Sequence, residues 1–173
     1  MANVHILVLY DSRGGLIEKL AHGVGEGVRL TGAEARLLRI DDAKKEDLFA
    51  ADGVVFGSPN WSGITGKMKQ WLDGVGDVWA EGQVLNKVGA AFTAGSSKSA
   101  GIEFTLLTLI HWMLAGGMVV AGLPFNERMR TTGSYYGATA AGTVTEDDLA
   151  QARVLGKRVA DMTLRMKSKH GRT

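Results

Sequence analysis

The sequence predicts a doubly wound α/β domain, a parallel sheet covered by helices on both faces. Three observations carry this prediction. Five short apolar runs recur along the chain, at residues 4–10, 35–40, 54–58, 88–93 and 118–122. Several are continuous rather than alternating, the pattern of strands buried on both faces. Helical patterns lie between them, and repeated strand–helix alternation implies one sheet with right-handed crossovers.

The elements follow in order. The first run stops at Asp11-Ser12, and two glycines precede a helical stripe of Ile17, Leu20, Ala21, Val24 and Val28. Residues 44–51 hold a short helix between the second and third runs. Met68, Trp71, Leu72 and Val75 form a shorter stripe, which places Trp71 in the core. Residues 106–123 carry no charged side chain if His111 is neutral, and they approach membrane-spanning length. Gly116-Gly117 divides that stretch into a buried helix and a short strand at Met118-Val119-Val120-Ala121, so the reading is helix–turn–strand. The last helix carries one stripe, Leu149, Ala152, Leu155, Val159, Met162 and Met166. Thr145 with Asp148 resembles a capping box in which Asp replaces the usual Glu or Gln.

Composition narrows the function classes. A chain of 173 residues, 45% hydrophobic and 22% charged, makes one domain, residues 1–173, with a core that needs no metal or disulfide. It has no cysteine, which excludes disulfides, thiolate nucleophiles, zinc fingers and cysteine-ligated iron–sulfur clusters. Met1-Ala2-Asn3 enters a strand pattern without a basic and apolar leader, so the expected location is cytoplasmic. The basic residues Arg165, Lys167, Lys169 and Arg172 read as a solvated, frayed end. No aromatics interleave with them, so no nucleic-acid partner is expected, and no membrane partner either.

Ligands of doubly wound sheets sit beyond the carboxyl ends of the strands, near the switch in strand order. Three segments there are rich in glycine, hydroxyls and amides. The first, Ser12-Arg13-Gly14-Gly15 leading into Leu16-Ile17, can turn backbone N–H groups and a helix N-terminus toward a phosphate. Equally, Ser12 can be a simple N-cap and the glycines a simple turn. The segment matches neither dinucleotide nor P-loop fingerprints. The second, Pro59-Asn60-Trp61-Ser62-Gly63-Ile64, sets an exposed Trp beside polar neighbours, which suits a flat heteroaromatic ligand or else covers an apolar edge. The third, Ala94-Gly95-Ser96-Ser97-Lys98-Ser99, offers N–H and hydroxyl donors for a ring edge or a phosphate. Together they describe a site for a phosphorylated planar cofactor, FMN rather than a dinucleotide. No carboxylate pair, metal cluster or Ser–His–Asp set accompanies them, so no catalytic side chain and no metal ligand is assigned.

The segments "ILVLYDSRGGLIEKLA", "GVVFGSPNWSGITGKMKQWLD", "VWAEG" and "GSYYGATAAG" resemble the flavodoxin-like superfamily, nearest to NAD(P)H:quinone oxidoreductases of the WrbA type. The resemblance implies strand order 2-1-3-4-5 in a five-stranded sheet. It implies that Ser12 to Ile17 wrap the FMN phosphate, that Pro59 to Ile64 flank the ring, and that Ala94 to Ser99 meet its pyrimidine edge. Trp79 would form a wall over the slot that nicotinamide and quinone share. Tyr135 and Tyr136, in the "YGATAAG" region, would lie near a subunit contact of a homodimer or homotetramer. The chain departs from the family pattern at Gly14, where a Tyr is usual, and at Ala115 and Gly116, where two His are usual. The second loop and the segment between the second and third strands are also shorter than the family's.

Two activities fit. One is an FMN enzyme in which NADH or NADPH reduces the flavin and a quinone or similar acceptor reoxidises it. The other is a flavodoxin-type electron carrier. Carriers of that kind are strongly acidic, because charge steers their partners. The isoelectric point here is near 8.9, which favours the enzyme. A third possibility, a fold of this class that has lost its cofactor and acts as a binding module, predicts a colourless protein.

Overall fold

The computed structural model describes residues 4–170. Met1-Ala2-Asn3, on which the absence of a leader was read, and Arg172 at the basic end lie outside them. The strands are β1 His5–Tyr10, β2 Glu34–Arg39, β3 Gly53–Pro59, β4 Val88–Gly95, β5 Val119–Val120 and β6 Gly137–Ala141. The helices are α1 Leu16–Arg29, α2 Lys45–Ala50, α3 Gly66–Gly74, α4 Asp77–Ala80, α5 Ile102–Ala115 and α6 Glu146–His170. The pairings are parallel and the strand order is β2-β1-β3-β4-β5, as the resemblance implies.

The fifth position in the sheet is shared. β5 pairs only with the start of β4, at Val88 and Gly89, while β6 pairs in parallel with its end, from Ala91 to Gly95. The expected strand at 118–122 is therefore cut to Val119–Val120, half-buried. An excursion containing a 3-10 turn at Glu127–Arg130 separates it from β6. Gly137–Ala141, read from sequence as a glycine-rich loop, completes the position as a strand. Ala138 and Ala140 are buried and point to one face, joining the cluster beneath α1 and α6.

The first, third and fourth apolar runs are buried on both faces as expected, whereas β2, at the sheet edge, is exposed or half-buried along its length. Ile6, Val8 and Tyr10 join Val24, Val28, Leu155 and Val159 beneath α1 and α6. Leu7 and Leu9 join Met68, Leu72, Leu106 and Leu109 beneath α3 and α5. The α1 and α6 stripes face one another so closely that a Cβ at Gly27 would collide with the Arg153 carbonyl, and one at Gly156 with the Val24 carbonyl. The capping box forms with Asp in the Glu position: Thr145 N–H donates to Asp148 Oδ2 at 2.7 Å, and Asp148 N–H to Thr145 Oγ1 at 3.3 Å.

Two further expectations change. Arg165 and Lys167 lie in the ordered helix α6, and Lys167 pairs with Asp52 at 2.7 Å, so this part of the basic end is helical rather than frayed. Trp71 is half-buried, with Nε1 donating to the Ala43 carbonyl at 3.2 Å. The stretch 106–123 resolves into α5, a turn with Gly117 at φ +69°, and β5, and no described helix is long and apolar enough to cross a membrane.

Candidate functional site

The order 2-1-3-4 sets the exits of β1, β3 and β4 side by side. Tyr10 is level with Gly57, and Pro59 with Ala94. The three loops expected to hold a ligand therefore meet at the carboxyl edge, at the switch point of the sheet.

The first loop is a cradle of donors. Asp11, buried, is tied to the neighbouring strand by its N–H on the Gly57 carbonyl at 2.9 Å and accepts from Thr65 Oγ1 at 2.6 Å. Beyond it, the N–H groups of residues 12–18 meet no protein acceptor among the described residues. Gly15 enters α1 at φ +81°, a left-handed turn that a residue with a Cβ adopts only at a cost. Because Gly15 is the N-cap and no side chain caps α1, Ser12 is not the capping residue. Its Oγ is buried without a hydrogen-bond partner. A buried hydroxyl with no partner costs free energy unless something supplies one. Stacked N–H groups, a helix N-terminus and an orphan hydroxyl fit a phosphate. Gly14 and Gly15 leave open space where a Cβ would stand.

The second loop supplies the aromatic. Trp61 is 63% exposed, and the Arg13 guanidinium lies 5.3 Å from its ring centroid, joining the first loop to the second. Ser62, at φ 59°, and Gly63, at φ 116°, both sit in left-handed backbone. A non-glycine residue there is a local strain of the kind that gathers at ligand sites. Asn60 is a strut: its Nδ2 donates to the Ala100 carbonyl at 2.6 Å and its Oδ1 accepts from Thr105 Oγ1 at 2.8 Å. Pro59 ends β3, and Ile64, half-buried, packs on the α3 side of the core. Thr65 caps α3, accepting from Met68 N–H at 3.2 Å.

The third loop leaves β4 at Ala94 and Gly95, which are buried, and exposes Ser96, Ser97, Lys98 and Ser99. Their N–H groups meet no protein acceptor among the described residues. The Lys98 side chain turns away from the other two loops, donating to the Thr131 carbonyl at 2.6 Å. There it lines a cavity of about 460 Å³ with Glu103, Arg130, Ser134 and Asp148, which includes no residue of the first two loops.

Trp79 does not join these loops within one chain. It belongs to the one-turn helix α4, where a loop was expected, just before the start of β4. Its ring lies 5.5 Å from that of Trp112, near the end of α5, and a Cβ at Gly116 would touch it. A 14-residue helix such as α5 is about 20 Å long. Trp79 thus stands at the amino edge of the sheet, away from the loop edge where α5 begins.

Reasoning from sequence passed over Asp11 and Arg39. Arg39, at the end of β2, donates through Nη2 to the Ser12 carbonyl at 2.7 Å, and its Nη1 lies 4.0 Å from Glu18 Oε2. Tyr10 donates to Glu18 Oε1 at 3.4 Å. Burial first, and then the negative charge of Glu18, push its phenol above the usual range, so it remains a donor.

A 2-1-3-4-5 sheet whose three carboxyl-edge loops offer a phosphate cradle, an exposed indole and a row of free donors defines a flavodoxin-like, FMN-type protein. Residues 42–127 match the NADPH-dependent FMN reductase family, a span that holds the second and third loops. An NAD(P)H dehydrogenase (quinone) of Archaeoglobus fulgidus is 36% identical over 183 aligned residues, covering 91% of this chain and 96% of the relative. One from Gluconacetobacter diazotrophicus is 36% identical, covering 93% and 98%. The chain belongs to this NAD(P)H dehydrogenase (quinone) family. A flavodoxin of Aquifex aeolicus is also 36% identical, covering 90% of this chain and 85% of its own length. Among solved structures, a flavodoxin, WrbA-like protein from Agrobacterium tumefaciens superposes with a TM-score of 0.78 at 25% identity, covering 94% of this chain and 99% of that one.

Proposed function

We propose that the protein is an FMN-dependent oxidoreductase that moves two electrons from NADH or NADPH to a quinone or a similar small acceptor. The observation that carries this reading is the first loop, where the N–H groups of residues 12–18 and the buried Ser12 Oγ meet no protein partner among the described residues. Ser12, Arg13, Gly14, Gly15, Leu16 and Ile17 hold the phosphate. Trp61, steadied by Arg13, lies against the ring, with Pro59, Ser62, Gly63 and Ile64 shaping its side and Asn60 fixing the distance to the third loop. The N–H groups of residues 96–99 face the polar edge, where donors stabilise the negative charge that reduction brings. Lys98 contributes its N–H and not its ammonium group. FMN held by these residues would supply the two-electron redox chemistry that links nicotinamide and acceptor. No side chain is asked to act as general acid or base.

The reading extends to a homodimer or homotetramer of single-domain chains, residues 1–173, in the cytoplasm. α5 presents Phe104, Leu107 and Leu114 to the outside, with Phe104 72% exposed. The Ser134 hydroxyl on Glu103, 2.6 Å away, brings a tight turn carrying Tyr135 and Tyr136 beside that helix. Exposed aromatics and aliphatics on one face suit contact with a second copy. Trp79 reaches a flavin slot only from such a copy, so its role as the wall depends on assembly.

The test is titration of flavin-free protein with FMN, followed by steady-state turnover of NADH or NADPH with a benzoquinone. Saturable FMN binding and FMN-dependent turnover are expected. A protein that takes up no FMN overturns the reading. FMN binding without turnover favours the electron carrier, which the Aquifex relative's name supports.

A further inference from the structure

A half-buried basic side chain, with no part in the chemistry, grips the back of the first loop. Arg39 is level with Tyr10 across the β1–β2 ladder and ends the edge strand. Its side chain is about two-fifths exposed and reaches both ends of the turn, the Ser12 carbonyl at 2.7 Å and the Glu18 carboxylate at 4.0 Å. We propose that Arg39 is a positioning residue for the phosphate end of the flavin, holding the Ser12 carbonyl out of the cradle so that the Arg13 N–H faces the anion. This rests on the reading that the first loop binds the phosphate of FMN.

The argument is one of peptide geometry. In a planar trans peptide the carbonyl and the following N–H point in opposite directions. Fixing the Ser12 oxygen on the β2 side therefore fixes the Arg13 N–H on the other side, away from Arg39. If that carbonyl were free to turn, its oxygen could face the phosphate, and a donor would become a repelling acceptor. A guanidinium suits the task because its rigid fork can face two acceptors at once, whereas an ammonium is a single point. Glu18, held by Tyr10, completes the fork, so the turn's exit and the first turn of α1 are clamped by one side chain. The cation behind the cradle also adds to the field of the helix N-terminus.

The test compares FMN with riboflavin, which shares the ring system and lacks the phosphate. Dissociation constants come from quenching of flavin fluorescence by flavin-free wild-type protein and by R39M. Wild type is expected to prefer FMN strongly. R39M should lower the FMN-to-riboflavin preference by about tenfold to a hundredfold, the loss of one hydrogen bond to a charged group, with riboflavin binding little changed. A general loss of structure weakens both ligands together and leaves the ratio unmoved, so an unchanged ratio in R39M overturns the proposal. If R39M does not fold, R39Q, whose amide ends two bonds short of the guanidinium nitrogens and so loses the Ser12 contact, the fork and the charge, carries the same expectation. If wild type itself shows no preference for FMN, the phosphate does not lie in the first loop, and the reading beneath the proposal fails with it.

Discussion

The two edges of the sheet each present a partly exposed tryptophan in opposite surroundings. At the carboxyl edge, Trp61 is met by a guanidinium, beside a loop of N–H groups that meet no acceptor among the described residues. At the amino edge, Trp79 is 38% exposed and leans on Trp112, whose ring meets Phe56 edge-on at 5.4 Å, so an aromatic chain runs into the core. The backbone there is closed: Asn86 N–H donates to the Gly117 carbonyl, Gln83 N–H to Val78, and Lys87 Nζ to both Leu48 and Phe49. Burial pushes the Lys87 ammonium below its usual range, against the opposing pull of Asp52. Exposure of an aromatic ring therefore does not distinguish the edges. Unmet hydrogen-bonding capacity does, because folded chains rarely leave it without a reason.

The strongest way to break this contrast is Gly15→Asp, which puts a carboxylate in the cradle. Two like charges about 4 Å apart at an effective dielectric near 20 repel by about 4 kcal/mol, roughly a thousandfold in Kd for FMN. The flavin-free fold should lose only the ~1–2 kcal/mol of a non-glycine left-handed residue. Fluorescence titration with a thermal melt checks both, and a folded variant with normal FMN affinity places the phosphate elsewhere.

A smaller effect sharpens the same point. Ser12→Ala should weaken FMN by about 1.5–3 kcal/mol, one hydrogen bond to a charged group. The flavin-free protein should be no less stable, since the hydroxyl has no protein partner to lose. Calorimetric titration beside denaturant unfolding separates these; equal losses in both mark Ser12 as structural.

The smallest change belongs to the other edge. Trp79→Ala should cost the fold about 1 kcal/mol for its aromatic contact and leave FMN bound. In the assembled protein it should lower kcat/KM for a benzoquinone by about 1–3 kcal/mol if a second copy brings this ring to the slot. Sedimentation at micromolar concentration and steady-state kinetics decide: a strict monomer, or unchanged kcat/KM in an intact assembly, would falsify the wall.

The carboxyl edge was legible in the sequence because its signals are local. Apolar runs end where strands end, and the Gly, Ser and Trp that follow them are the loops. What escaped depends on direction rather than position. Lys98 and Asn60 sit in the right loops, yet their polar ends are spent on Thr131, Ala100 and Thr105, and one-dimensional spacing carries no information about where a side chain points. Arg39 was hidden because a basic residue on an edge strand looks like ordinary solvated surface. Trp79 was expected on a loop because glycines flank it, and spacing alone does not show that α3 and α4 carry the chain to the far side of the sheet, with Trp79 in a helical turn, before β4 begins. β6 escaped because Gly-Ala-Thr-Ala-Ala is too small to register as an apolar run, and pairing with the fully buried β4 overrides its weak strand preference.

The close approach of α1 and α6 has a kinetic corollary. With backbone against backbone at Gly27 and Gly156, α1 cannot tilt or slide without moving a 25-residue neighbour. The helix whose first turn would form the proposed anion cradle is thus anchored well below it. A host already in its bound shape loses little disorder when a ligand arrives. Capture then requires no slow rearrangement of α1, and differences in affinity among cradle variants should show in how fast FMN leaves rather than in how fast it enters.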